Sequence, residues 1–170
     1  MKYYRILNAI VDDKDIITKS DDIEALDKVS DELNRLEDRL LLDDTGAYTK
    51  YALKSVIERQ KYSIIFIDLD NLKTTNDTKG HVAGDKLLLD TVKLLKDYGN
   101  VYRIGGDEFI ILTDDNSIRS FISRFRDTKQ FSFGIVKREE YTNYSDAIKL
   151  ADERMYINKN SKKNSRENSL

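Results

Sequence analysis

The strongest constraint on the fold is the run of residues 63–70, which reads SIIFIDLD. Its β-branched and aromatic residues show no polar alternation, which predicts a central strand that is buried on both faces. The run ends in two acids, Asp68 and Asp70. The sequence therefore predicts a strand that carries carboxylates to its C-terminal end.

A second pair of acids, Asp107 and Glu108, follows Gly105 and Gly106 in a predicted hairpin. Taken alone, either pair of acids is more typical of a turn whose carboxylates are solvated. Taken together, the two pairs suit Mg²⁺, which prefers oxygen ligands and completes its shell with water and phosphate. The two glycines have no Cβ, so a bulky anion could approach their backbone closely. Weaker support for a phosphate site comes from the positive charge of five lysines, Lys73, Lys79, Lys159, Lys162 and Lys163.

The order of predicted elements favours an α+β fold. Strands are predicted over residues 63–70, over 101–113 as a hairpin and over 131–136, and helices over 48–59, 72–77, 84–98, 116–126 and 145–158. A hairpin inside such a series requires a mixed β-sheet with helices packed on it. The last residues, 161–170, are rich in Asn, Ser and Lys and are expected to form a disordered tail.

The first 42 residues are expected to form a small ββα appendage, a β-hairpin followed by an amphipathic helix. Apolar residues recur in that helix at alternating spacings of three and four, namely Leu26, Val29, Leu33, Leu36 and Leu40. This pattern fits a short dimerisation seam and, equally, a helix that packs on the preceding hairpin. Residues 43–160 would then form the main domain.

Composition excludes several classes of site and partner. The 170 residues include no cysteine and one histidine, which excludes disulfides, thiol nucleophiles, zinc–thiolate sites and multi-histidine metal sites. With 29 basic and 31 acidic residues the net charge is −2, which argues against a partner such as a nucleic acid polymer or an anionic membrane. Because no apolar run could span a bilayer or act as an N-terminal signal, the expected location is the cytoplasm.

Four ordered blocks of this sequence resemble the GGDEF diguanylate cyclase family. The blocks are residues 66–77 (FIDLDNLKTTND, continued by GHVAGD at 80–85), 102–109 (YRIGGDEF), 132–135 (SFGI) and 151–159 (ADERMYINK). The third and fourth blocks are similar to the family's C-terminal strand and helix, and the second to its signature hairpin. The resemblance covers about residues 43–163.

The resemblance implies a palm-like fold and an enzyme that joins two GTP molecules head to tail into cyclic di-GMP, releasing two pyrophosphates. It also implies a homodimer, in which each subunit holds one GTP and two domains face each other. By motif position, Mg²⁺ or Mn²⁺ would be held by Asp68, Asp107, Glu108 and the backbone carbonyl of Leu69. Glu108 would also assist the metal site or remove the proton of the 3′-hydroxyl group.

For the substrate, the resemblance implies that Asn76 and Asp85 read the guanine edge. The phosphates would be held by the hairpin backbone and by lysines, namely Gly105, Gly106, Lys73, Lys159 and Lys163. Structural alternatives stay open for three residues. Asp85 could be the N-cap of the predicted helix over 84–98, Asp70 more often caps the following helix than binds metal, and Arg103 is expected to brace the hairpin.

Departures from the family pattern leave other functions open. The stretch between Phe109 and Ser132 is shorter than the family norm, and the motif at the start of the domain survives only as Thr45, Gly46 and Lys50. The alternatives are a catalytically weak GTP-binding regulatory module and a related cyclase that makes another cyclic dinucleotide.

The family's inhibitory product site is an Arg-x-x-Asp motif upstream of the signature hairpin. The corresponding residues here, 96–100, read KDYGN, so we expect no product inhibition through that site.

Overall fold

The computed structural model describes residues 28, 41–57 and 61–167. The chain divides into two units, Met1–Leu41 and Leu42–Leu170. In the first unit only Lys28 and Leu41 are described, and both are helical. The predicted N-terminal hairpin and leucine seam therefore lie outside the described residues.

The described part of the second unit contains five strands and five α-helices. The strands are β1 (Tyr48–Thr49), β2 (Ser63–Leu69), β3 (Asn100–Arg103), β4 (Glu108–Thr113) and β5 (Phe131–Val136). The helices are α1 (Lys50–Ile57), α2 (Leu72–Lys79), α3 (His81–Leu95), α4 (Asp115–Phe125) and α5 (Tyr144–Glu167). A single 3₁₀ turn, Lys96–Tyr98, follows α3.

The five strands form one mixed sheet in the order β1-β3-β4-β2-β5. Strand β2 pairs antiparallel with both β4 and β5, and only β1 and β3 are parallel. All seven residues of β2 are buried. The predicted α+β fold and the predicted central strand are therefore confirmed.

The two faces of β2 pack against different helices, because successive side chains of a strand point to opposite sides. Ile65, Ile67 and Leu69 belong to an apolar cluster with residues of α3 and α4. Ile64 and Phe66 belong to a second cluster with residues of α1 and α5. The same alternation sends the side chain of Asp68 to the face that α5 covers.

Helix α5 approaches the sheet closely at Gly134 of β5. A Cβ atom on Gly134 would lie 2.0 Å from the carbonyl oxygen of Ala151 and 2.4 Å from the amide nitrogen of Met155. Any larger residue would push the helix away from the strand. Gly134 therefore sets the distance between α5 and the carboxylates of β2.

Three predicted boundaries are wrong. Residues 48–49 form β1 rather than the start of a helix. Helix α3 begins at His81, not at Gly84, because Gly80 turns the chain with a φ of 82°. Helix α5 continues to Glu167, so residues 161–167 are helical instead of a disordered tail.

No helix within residues 28, 41–57 and 61–167 has both the length and the apolar character needed to span a bilayer.

Candidate functional site

The two predicted acid pairs meet at the C-terminal end of β2. Asp68 lies opposite Glu108 in the register of β2 and β4, and the amide of Leu69 donates to the carbonyl oxygen of Asp107 at 3.0 Å. Asp68 is only 9% exposed. The sheet therefore brings Asp68, Asp107 and Glu108 together at the C-terminal end of β2, which agrees with the sequence-based expectation that the two acid pairs act together.

The hairpin between β3 and β4 places the carboxylate of Glu108. The amides of Ile104 and Gly105 both donate to the carbonyl oxygen of Glu108, at 3.0 and 3.4 Å. A Cβ atom on Gly105 would lie 2.4 Å from Oε2 of Glu108, whereas one on Gly106 would have no atom of the described residues within 4 Å. The Glu108 carboxylate thus lies over Gly105, and the backbone at Gly106 stays open to solvent.

Arg103 braces this hairpin, as predicted. Its Nη2 donates to the carbonyl oxygen of Gly106 at 2.6 Å. Its Nη1 pairs with Oδ2 of Asp43 at 3.2 Å. The guanidinium therefore links the tip of the hairpin to the segment that precedes β1.

Helix α5 supplies the positive charge of the site. The Lys159 Nζ donates to Oδ1 of Asp68 at 2.6 Å. An open cleft of about 460 Å³ lies beside this contact, between α5 and the strand ends. Its lining consists of Asp68, Asp70, Glu108, Asp152, Met155, Tyr156, Lys159, Asn160, Lys162 and Lys163.

Burial dominates the electrostatics of the two facing carboxyls. It raises the pKa of Asp68, and the hydrogen bond from Lys159 only partly offsets this effect. Burial also raises the pKa of Glu108, and the negative charges of Asp107 and Asp68 raise it further. Burial works to lower the pKa of Lys159, but its pairing with Asp68 and the other nearby acids outweighs burial, so that pKa is raised.

These carboxylates fit a hard divalent cation. No group of three acidic, histidine or cysteine side chains within the described ranges is gathered closely enough to hold a metal ion by itself. Mg²⁺ does not require such a cage, since it is commonly bound by one or two carboxylates together with substrate phosphates. The facing pair Asp68 and Glu108, with raised pKa values, supplies two hard oxygen donors whose negative charge is only partly compensated.

The predicted guanine-reading residues lie on α2 and α3, outside the cleft. A Cβ atom on Gly84 would lie 1.8 Å from Oδ1 of Asn76, so the Asn76 side chain packs against the residue that precedes Asp85. Asp85 is exposed in the second turn of α3, and it is not the N-cap of that helix. Lys73 is exposed in the first turn of α2, which directly follows β2.

Sequence reasoning missed a second acid–lysine contact at this edge. The sequence favours Asp70 as the cap of the next helix, but in the structure Asn71 occupies that position. Oδ1 of Asp70 instead accepts from the Ser132 hydroxyl at 2.7 Å, and its Oδ2 lies 3.6 Å from Nζ of Lys162. The spacing of Lys159, Lys162 and Lys163 could have indicated one helical face, had the helix been extended beyond residue 158.

A larger cleft, of about 800 Å³, lies between α1 and the start of α5. Three lysines line it, Lys50, Lys54 and Lys61, together with apolar, tyrosine and small polar side chains, and none of its described lining residues is acidic. Its described lining therefore offers no carboxylate to bind a hard divalent cation. The smaller, carboxylate-lined cleft is therefore the better candidate for catalysis.

Comparison with known proteins identifies the family of this chain. The family model described as "Diguanylate cyclase, GGDEF domain" matches residues 28–165. The probable diguanylate cyclase DgcI of Escherichia coli K12 is 36% identical over 128 residues, which cover 67% of this chain and 28% of that protein. The probable diguanylate cyclase DgcJ of the same organism is 33% identical over 152 residues, covering 80% of this chain and 30% of DgcJ. The chain therefore spans less than a third of the length of these relatives.

A solved structure shows the same fold. The coiled coil and GGDEF domain of DgcB from Caulobacter crescentus, in complex with c-di-GMP, matches with a TM-score of 0.71 at 17% identity. The match covers 84% of this chain and 92% of that chain. At this level of identity the likeness establishes the palm-like fold.

Proposed function

The chain belongs to the GGDEF-domain family of diguanylate cyclases, and from that premise we propose that it condenses two GTP molecules into cyclic di-GMP and two pyrophosphates. The observation that supports this proposal most is the facing pair of Asp68 and Glu108 at the end of β2, beside Lys159. Together with Lys159, the two carboxylates line one cleft that is large enough for phosphate groups.

Each of the two condensation steps forms a bond from the 3′-oxygen of one GTP to the α-phosphorus of the other. The bond between that phosphorus and the pyrophosphate oxygen breaks, and the 3′-hydroxyl proton leaves. Glu108 is the proposed proton acceptor, because burial and its acidic neighbours raise its pKa and so increase its affinity for a proton. Its position over Gly105 places this acceptor beside the open backbone of Gly106.

The triphosphate group would lie in the cleft along α5. Lys159 and Lys163 both line the cleft and would neutralise phosphate charge, with the backbone at Gly105 and Gly106 completing the site. Lys73 would contribute a further charge from the start of α2. Asn76 and Asp85 would read the guanine edge, because a carboxylate can accept from its N1–H and amino groups, which adenine does not reproduce.

Mg²⁺ or Mn²⁺ would be held by the carboxylates of Asp68, Asp107 and Glu108 and by the carbonyl oxygen of Leu69. When bound, the cation neutralises the charge that develops on the leaving pyrophosphate. Lys159 already occupies one oxygen of Asp68 at 2.6 Å. We therefore expect Lys159 to turn toward the phosphates when the cation and the nucleotide bind.

The proposed reaction requires two domains, so the chain should act as a homodimer. A weak encounter between subunits would make the rate per subunit rise with protein concentration. A preformed dimer, for which Leu26, Leu33 and Leu36 are candidate contacts, would remove that dependence. Specific activity measured over a dilution series tests this: Leu33→Glu with Leu36→Glu should make activity fall at low concentration.

A GTP-binding module without turnover is the second candidate function. The observation that favours it is the ion pair of Lys159 with Asp68, in which an ammonium occupies a cation position of the site. Such a module would bind GTP and release no product.

Product analysis separates these functions. The purified chain is incubated with Mg²⁺ and GTP, with ATP, or with both, and the nucleotides are resolved by mass. The proposal predicts cyclic di-GMP and pyrophosphate from GTP alone. Bound but unreacted GTP would support the binding module instead, and a product containing adenine would show a different cyclase.

A further inference from the structure

Asp70 is a buried carboxylate that none of the proposed chemistry uses. Its side chain is 7% exposed. Oδ1 accepts from the Ser132 hydroxyl at 2.7 Å, and the amide of Asp70 donates to the carbonyl oxygen of Gln130 at 3.1 Å. Within the described part of the chain, Oδ2 has no hydrogen-bond partner. A buried charge of this kind is costly unless a cation lies close to it.

Lys162 provides that cation from the C-terminal part of α5. Its Nζ lies 3.6 Å from Oδ2 of Asp70, and the Lys162 side chain is 17% exposed. The same ammonium donates to the carbonyl oxygen of Phe131 and lies 3.5 Å from Oγ of Ser132. One lysine thus contacts the ends of two strands, β2 and β5.

Lys162 shares a helical face with the residues that face the cleft. Lys159 lies three residues before Lys162 and four residues before Lys163, so the three lysines lie on one face of α5 over about one turn, and all three line the cleft. This turn lies near the end of a helix whose last residues, rich in Asn, Ser and Lys, have little apolar surface to bury. A helix end that buries little apolar surface frays unless other contacts hold it, and its side chains then lose their fixed positions.

We propose that Lys162 is a positioning residue, which with Asp70 clamps the last turns of α5 to the strand ends and so holds Lys159 and Lys163 at the nucleotide cleft. This inference rests on the proposed function, because it assigns the purpose of the clamp to nucleotide binding. Lys162 acts through its neighbours and does not itself need to contact the nucleotide.

The test uses binding of 3′-deoxy-GTP, which lacks the attacking hydroxyl group and cannot be condensed. Calorimetric titration with Mg²⁺ and the full chain gives a dissociation constant without turnover, at a temperature where circular dichroism shows each variant folded. The variants are Lys162→Met, Asp70→Asn, the double variant and Lys162→Arg. Lys149→Met, an exposed lysine on the same helix, is the matched control.

The clamp predicts a dissociation constant raised about tenfold in both Lys162→Met and Asp70→Asn, close to wild type in Lys162→Arg and unchanged in the control. Unchanged or tighter binding by Asp70→Asn would overturn it, because the contact with Asp70 would then not be needed to hold the lysines. If Lys162→Met nevertheless bound weakly, Lys162 would be a direct phosphate ligand. In the double variant no unpaired buried charge remains, so thermal stability should recover while binding stays weak. Recovery of binding together with stability would show a purely structural pair and would also overturn the inference.

The experiments distinguish a failure of the proposed function from a failure of this inference. If the wild type binds 3′-deoxy-GTP but makes no product from GTP, the cyclase activity is wrong, and the clamp is still decided by the binding constants of the variants. If the wild type does not bind the nucleotide at all, both are wrong.

Discussion

The two ends of strand β2 differ in how well their polar groups are paired. At its first residue the polar groups are hydrogen-bonded to each other, whereas at its last residues the negative charge of the carboxylates is only partly balanced by nearby cations. The Ser63 hydroxyl donates to Oδ1 of Asp115 at 2.9 Å and accepts from the amide of Arg138 at 3.1 Å. The Arg138 guanidinium lies 4.0 Å from the same Asp115 carboxylate. Ser63 is fully buried. This end of the strand needs no further partner.

At the Asp68 end of β2, the negative charge of the carboxylates exceeds the positive charge beside it. Asp68 and Glu108 have raised pKa values, and a buried oxygen of Asp70 has no hydrogen bond to any residue that the structure describes. Groups of this kind cost stability, and they concentrate where a protein binds ligands or performs chemistry. The comparison indicates that the Ser63 end of β2 serves the fold and the Asp68 end serves function.

The largest expected effect comes from removing one charge at the Asp68 end. Asp68→Asn should lower turnover of GTP by at least about 100-fold, because the site loses a carboxylate proposed to hold the cation, and with it the stabilisation that the cation would give the reacting phosphates. The melting temperature should stay the same or rise, since a buried carboxylate is replaced by a neutral group. Turnover and thermal unfolding are measured on the same preparation.

Asp90→Asn, the same change at an exposed position of α3, is the control for Asp68→Asn and should alter neither quantity. Wild-type turnover by the Asp68 variant would remove this end of the strand from the active site.

The two glycines of the hairpin offer a matched pair. Gly105→Ala should lower turnover by about 10-fold to 100-fold, because its Cβ would displace the Glu108 carboxylate by occupying its place. Stability should change little, as the displaced atom ends a flexible side chain. Gly106→Ala meets nothing within 4 Å and should lose less activity. A greater loss in Gly106→Ala than in Gly105→Ala would contradict this account of Glu108.

At the opposite end of β2, Ser63→Ala should have the reverse effect, lowering stability and leaving turnover unchanged. The loss of its two hydrogen bonds should lower the free energy of unfolding by about 1–2 kcal/mol, with turnover per folded molecule unchanged. Chemical denaturation measures the first quantity and a rate assay the second. Ser120→Ala, on the exposed side of α4, is the control. Reduced turnover in folded Ser63→Ala protein would show that the two ends are not separate in role.

The smallest expected effect is a pH dependence of stability. The pKa values of Asp68 and Glu108 are raised above their usual values of 3.8 and 4.5, so the folded state binds their protons more tightly than the unfolded state does. Their contribution is most favourable below those values and is lost as pH rises through the folded-state pKa values. In metal-free buffer, the free energy of unfolding of the wild type should therefore fall with rising pH relative to that of Glu108→Gln. Parallel profiles for the two proteins would contradict the raised pKa of Glu108.

The Asp68 end could be predicted from the sequence because its signals are local. The apolar run before Asp68 and the glycines before Asp107 each define one element within a few consecutive residues. The position of Arg103 on the hairpin could be predicted for the same reason.

The end of α5 could not be predicted in this way. Residues 161–167 have a composition typical of a disordered segment, and their helix is supported by contacts distant in sequence, such as Lys162 with Asp70. The start of α3 was missed because a positive φ at Gly80, not an N-cap side chain, begins it. Both errors concern residues whose conformation depends on tertiary contacts or on backbone geometry that the pattern of apolar residues does not contain.

The central claim, that the carboxylate end of β2 is the nucleotide site, is tested most directly by a crystal structure with 3′-deoxy-GTP and Mg²⁺. The account predicts the triphosphate in the cleft between Glu108, Lys159 and Lys163, with the Lys159 ammonium turned from Asp68 toward a phosphate oxygen. A triphosphate bound instead in the cleft lined by Lys50 and Lys54, with the contact of Lys159 and Asp68 intact, would contradict it.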